Sequence, residues 1–171
     1  FSGGAKVRYL PGKDGRLTPV AIEAAAAQRT DLHYPKTRAL SITQSTELGT
    51  VYTPGQLKAV CRVARKHGLK VHMDGARFSN AVASLGVKPK EITWKVGVDM
   101  LSFGLTKNGI HAGEALIFFD KSLAHEFDWQ NKQAGQLASK MRFLAAPWIG
   151  MLEDGAWLRH ANHANKMAKR L

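Results

Sequence analysis

Two rhythms of apolar and polar positions alternate along the chain. Short apolar runs at 38–43, 69–73, 99–103 and 114–119 read as strands, and the stretches between them carry the wider apolar spacing of helices. Strands alternating with helical stretches predict βαβ units and a mostly parallel sheet. Thr18-Pro19 and Thr53-Pro54 each place a capping hydroxyl before a proline, which predicts helices over 20–29 and from 54 to about 67. Gly68 supplies the second helix with its stop. The stretch 75–84 reads as a loop running into a short helix closed by Gly86, and Pro89 opens a further helix reaching 96. The run at 114–119 follows its predecessor too closely for a helical crossover, so it should pair antiparallel. From Lys121 onward the pattern is helical, with breaks at Gly135, Pro147 and Gly155. No internal repeat or low-complexity linker interrupts the order.

Composition narrows the class. Of the 171 residues 44% are hydrophobic and 22% charged, which suits a packed core and excludes a disordered chain. No apolar run approaches the roughly 18 residues of a bilayer span. Cys61 is the single cysteine, so an internal disulfide and any cysteine-built zinc or iron–sulfur site are excluded, and a cytoplasmic setting is expected. The chain starts without a methionine or signal peptide and ends in what reads as mid-helix, which predicts an internal piece of a larger protein.

Charge adds one rival. Lys and Arg total 25 against 13 Asp and Glu, a formal net charge of +12, which raises a basic nucleic-acid-binding module as an alternative. The basic residues fall in scattered pairs such as Arg65-Lys66 and Lys169-Arg170, the pattern of solvated helix faces.

Three strand ends carry polar residues: Thr43-Gln44-Ser45, His72-Met73-Asp74-Gly75-Ala76-Arg77 and Ser102-Phe103-Gly104-Leu105-Thr106-Lys107. In a parallel α/β sheet these ends line one crevice, where ligands bind. Asp74 can be read as a cap for the next helix, paired with Arg77. Lys107, held by the turn-forming Asn108-Gly109, offers a different reading. A lysine near an aspartate-bearing strand end suits Schiff-base chemistry with pyridoxal phosphate, whose ring nitrogen needs an acidic partner. His72 alternates with Asp74 and shares its face.

These segments, with Ile42-Thr43-Gln44-Ser45-Thr46-Glu47-Leu48-Gly49-Thr50-Val51-Tyr52, resemble the threonine aldolase and β-eliminating lyase family of fold-type I pyridoxal-phosphate enzymes. The resemblance covers about 40–146 and extends through Phe1-Ser2-Gly3-Gly4-Ala5-Lys6. It implies an α/β fold-type I large domain over 1–146, with helices on both faces of the sheet. It also implies a helical segment over 147–171 leading towards a smaller domain. Residue by residue, it implies that Lys107 carries the cofactor and shuttles protons at the substrate α-carbon. Asp74 pairs with the pyridine nitrogen, Thr106 sits near the phosphate, and His72 belongs to the same cofactor motif. Arg77 helps hold the substrate α-carboxylate, and Lys140 stands near a basic residue that reaches a neighbouring subunit's phosphate. The implied reaction is cleavage of a β-hydroxy-α-amino acid such as threonine to glycine and an aldehyde, by a homo-oligomer with shared active sites. β-Elimination or transamination on the same fold is the nearest alternative.

The pattern departs from the family at Thr43-Gln44-Ser45-Thr46-Glu47, where many members place a histidine that contacts the substrate hydroxyl. The phosphate-binding Gly–Thr pair and the ring-stacking histidine are expected before these residues, and a second carboxylate-binding arginine after them. No metal site is expected: His160 and His163 read as surface histidines. Cys61 reads as a small buried hydrophobe, and Trp148, Leu152 and Trp157 as packing against a partner surface.

Overall fold

The computed structural model describes residues 4–27 and 31–170. Four strands form one sheet in the order β1 (Ala39–Thr43), β2 (Lys70–Gly75), β3 (Met100–Gly104) and β4 (Glu114–Phe118). The first three are parallel, and β4 returns antiparallel on β3, as the short connection requires. The α/β class and the mostly parallel sheet are those read from the sequence.

Each early helix begins where its cap predicts. Thr18 accepts from the Ala21 amide at 3.2 Å to open α1 (Pro19–Ala26). Residues 28 and 29 of the predicted helix lie outside the described residues. Thr53 and Gln56 form a reciprocal capping box at the start of α2 (Pro54–Lys66). α2 lays Leu57, Val60, Cys61 and Ala64 into the core with Leu40 and Ile42 of β1 and Val71 and Met73 of β2. Burial holds the Cys61 thiol protonated, its pKa pushed up to about 11, so it behaves as a buried hydrophobe. α3 (Phe78–Leu85) ends at Gly86, which takes the left-handed conformation that glycine favours.

Three expectations need correction. The stretch from Pro89 forms two 3-10 turns, Pro89–Ile92 and Trp94–Val96, rather than an α-helix. Thr93 between them has a backbone no helix allows (φ −127°, ψ −113°), and its hydroxyl donates back to the Pro89 carbonyl at 2.9 Å. Beyond β4, α4 (Phe127–Gln133), α5 (Met141–Glu153) and α6 (Ala156–Ala168) follow, with Gly135 and Gly155 at the breaks. Pro147, however, sits inside α5 and does not end it. Trp148 and Trp157 pack within the chain: each meets Phe103 edge-on, with ring centroids 5.4 and 5.7 Å away. α6 lies along α3, tied by Asn165 and Asn80 through hydrogen bonds of 3.0 and 3.1 Å.

Candidate active site

Asp74 stands where β2 leaves the core. Alternation along the strand buries Val71 and Met73 on one face and turns His72 and Asp74 to the other. Asp74 Oδ1 accepts from the Ala76 amide at 3.0 Å, a tight turn that swings the chain into α3. Gly75 is required there, because a Cβ would lie 2.6 Å from the Leu101 side chain and 2.7 Å from the Ser102 carbonyl. The helix-cap reading of Asp74 is not what forms. Arg77 itself occupies the N-cap of α3 without a side-chain cap, and its guanidinium forks onto Glu47 at 2.8 and 3.3 Å rather than onto Asp74.

His72 is half-buried between two hydroxyls. Its Nδ1 lies 2.8 Å from Ser41 Oγ and its Nε2 2.9 Å from Ser102 Oγ, bridging β1, β2 and β3 beneath Asp74. Burial lowers its pKa, and the charge of Asp74 only partly opposes that. A neutral ring with both nitrogens engaged braces the sheet face beside Asp74.

Lys107 lies in a 3-10 turn, Thr106–Asn108, one residue beyond β3. Thr106 and Lys107 are exposed, whereas Asn108 is buried and anchors the turn. Asn108 Nδ2 donates to the Trp157 carbonyl at 2.8 Å, and His160 Nδ1 donates to the Asn108 carbonyl at 2.9 Å. Gly109 follows at φ 123°, where a Cβ would meet His160 Nδ1 at 2.9 Å. α6 thus clamps the base of the lysine. His160 is exposed, as read from the sequence, and adds this bond to the clamp. The contact spans 52 residues and leaves no local signal.

Two carboxylates join the crevice that the sequence did not single out. Glu114 opens β4 with its carboxylate over Gly104, 2.7 Å from where a Cβ on that glycine would sit. Desolvation raises its pKa, with the nearby charge of Asp74 adding to the rise and Lys107 opposing it. The hydrogen bond from Arg77 lowers the Glu47 pKa, and Lys107 contributes in the same sense. The pKa of Arg77 is raised in turn, chiefly by Glu47 and less by Asp74. Asp74 and Arg77 follow β2 and Lys107 follows the parallel β3, so with Glu47 on Arg77 and Glu114 over Gly104 they lie at the carboxyl edge of the parallel strands, where an α/β sheet binds ligands. Lys140 is exposed at the N-cap of α5, and its side chain makes no hydrogen bond or ion pair with the described residues. The surface cations gather elsewhere: Lys58, Arg62, Arg65 and Lys66 line an open groove of about 640 Å³ with Trp94 and Lys95.

The chain also resembles known proteins over its length. The chain is 58% identical over 171 residues to a low specificity L-threonine aldolase of Pseudomonas sp. (strain NCIMB 10558), covering 100% of this chain and 49% of that protein. It is 57% identical, over the same shares, to one from Pseudomonas aeruginosa. A solved structure of Leishmania major threonine aldolase superposes with a TM-score of 0.92 at 31% identity, over 98% of this chain and 49% of that one. The chain spans about half the length of the relatives it matches. The family model described as Beta-eliminating lyase matches residues 1–171. On sequence and fold together, the chain belongs to the Beta-eliminating lyase family.

Proposed function

We propose that the protein to which this chain belongs is a pyridoxal-phosphate-dependent lyase that cleaves β-hydroxy-α-amino acids of the threonine type to glycine and an aldehyde. What supports the reading is that Asp74 and Arg77 stand at the carboxyl end of β2 and Lys107 just beyond the carboxyl end of its parallel neighbour β3, in a chain more than half identical to low specificity L-threonine aldolases. The donor set suits the cofactor. Lys107 offers an exposed primary amine, and Asp74 offers a carboxylate with one oxygen committed to the Ala76 amide. When bound, pyridoxal phosphate supplies a conjugated electron sink for a bond broken at the substrate α-carbon.

The chain's own residues would then divide the work. Lys107 Nζ would hold the cofactor and carry a proton to or from the α-carbon. Asp74 would hold the proton on the ring nitrogen through a charge-assisted hydrogen bond. His72 would keep that strand edge in register through Ser41 and Ser102. Arg77 would grip the α-carboxylate in a forked pair, aligning the Cα–Cβ bond for cleavage. Thr106, beside the lysine, would face the phosphate end. Cleavage of threonine removes the hydroxyl proton, breaks Cα–Cβ to release acetaldehyde, and returns a proton to Cα to give glycine.

The large-domain assignment of 1–146, the helical lead-out of 147–171, the cytoplasmic setting and a homo-oligomer with a shared phosphate site near Lys140 belong to the same reading. Trp129, Phe143 and Ile149, 71%, 65% and 57% exposed, offer apolar surface on α4 and α5 for such an assembly. No helix among the described residues is long and apolar enough to cross a membrane.

The test uses the full-length protein with pyridoxal phosphate. A visible absorption band that borohydride fixes onto Lys107, and that Lys107→Ala lacks, supports the cofactor assignment. Acetaldehyde release from threonine, reduced at least ~1,000-fold in Lys107→Ala, supports the reaction. A band without acetaldehyde would transfer the reading to elimination or transamination. With no band, steep salt-dependent binding to RNA or DNA would favour the nucleic-acid module.

A further inference from the structure

Arg77 and Glu47 meet in the geometry that an arginine uses for a bound carboxylate. Glu47 Oε1 accepts from Nη1 at 2.8 Å and Oε2 from Nη2 at 3.3 Å, one oxygen to each guanidinium nitrogen. The two partners are held very differently. Arg77 is a fixed point: it sits at the corner between β2 and α3, its carbonyl accepts from the Ala81 amide, and Phe78 beside it is 2% exposed. Glu47 belongs to an exposed turn closed by the Gly49 amide on the Thr46 carbonyl at 3.0 Å, and its side chain is 79% exposed. Its carboxylate has no ion pair among the described residues other than the one with Arg77. The glutamate can therefore leave while the arginine stays.

We propose that Glu47 sets the enzyme's affinity and selectivity for α-carboxylates: its carboxylate occupies the Arg77 fork until the carboxylate of the incoming amino acid replaces it. The inference rests on the reading of Arg77 as the substrate's carboxylate clamp. Exchange of one carboxylate for another leaves the guanidinium paired at every stage, so it is never stranded half-buried without an anion. The internal pair is solvent-exposed and correspondingly weak, which makes it a modest competitor rather than a barrier. Ligands without a carboxylate cannot complete the exchange and leave Glu47 in place.

Calorimetric titration of the full-length holoenzyme with glycine and with glycinamide tests this without turnover. Glu47→Gln should tighten glycine binding about two- to fivefold, the range an exposed ion pair supports. It should leave glycinamide unchanged, and the KM for threonine should fall with kcat retained. Arg77→Ala should weaken glycine about tenfold or more. If Glu47→Gln leaves glycine binding unchanged or weakens it while Arg77→Ala weakens it strongly, the exchange is wrong and the clamp stands. Equal tightening of glycine and glycinamide, or a loss of kcat, also overturns the exchange. If Arg77→Ala leaves glycine unchanged, the clamp fails and the exchange with it. Unaltered thermal melting of both variants keeps these outcomes free of folding effects.

Discussion

Met73 and Asp74 are neighbours in the chain and opposites in the fold. Met73 is 0% exposed among Ile42, Leu57 and Leu101 in the core, whereas Asp74 opens onto the crevice. The same alternation separates Val71 from His72. One face of β2 thus holds the sheet to α2, and the other presents ionisable groups at its carboxyl edge. The difference teaches that stability and chemistry are carried by alternate residues of one strand. Each can be damaged without the other. The core face tolerates only apolar volume, since interiors are close-packed. The polar face keeps Asp74 where burial is incomplete and the Ala76 amide pairs with it, so its oxygens are not left buried without partners.

The largest effect should come from the core side. Met73→Ala should destabilise the protein by about 2–5 kcal/mol, read from the denaturant midpoint. The protein that remains folded should keep its cofactor band and turnover. A loss of turnover beyond the loss of folded protein would show that the two faces are coupled. Next, Asp74→Asn should lower turnover about 10- to 100-fold, the worth of a charge-assisted hydrogen bond, while moving the midpoint by less than about 1 kcal/mol. A large fall in stability instead would assign Asp74 a structural role.

The smallest effect lies at the opposite edge of the sheet. Lys70 Nζ lies 2.6 Å from Asp120 Oδ2, joining the start of β2 to the end of β4. Hydrogen bonds from Lys70 and from Ser122 lower the Asp120 pKa from its ordinary 3.8 to about 2. A carboxyl depressed in the folded state stabilises it above the ordinary value and ceases to do so as pH falls through about 2. Acid unfolding followed by circular dichroism should therefore steepen between about pH 4 and pH 2. Asp120→Asn should flatten that part of the curve and leave the activity profile unchanged.

How much of this was legible depends on the distance over which each signal acts. The strands at 39–43, 70–75 and 100–104 follow from apolar runs of a few residues, and α2 from its own cap, proline and apolar spacing. Asp74 stood out because it directly follows such a run, and Arg77 and Lys107 because each lies four residues past the end of one. Thr93 escaped notice because its bond to the Pro89 carbonyl is one local choice among several open to a threonine. The partner of Arg77 was misread because an aspartate three positions away looked sufficient. Glu47, 30 residues back, reaches the guanidinium only because β1 and β2 lie side by side.

The order of apolar and polar residues by itself determined the succession of strands and helices, the antiparallel return of β4, and which strand ends carry ionisable groups. These are matters of period and of chain length between neighbours, and both act locally. Only the tertiary structure decided that Glu47 answers Arg77, that Glu114 lies over Gly104, and that His160 clamps the turn of Lys107. It also drew Trp148 and Trp157 onto Phe103. Each of these pairings joins residues far apart in sequence, and their free energy exists only after the sheet register and helix docking have brought them within reach.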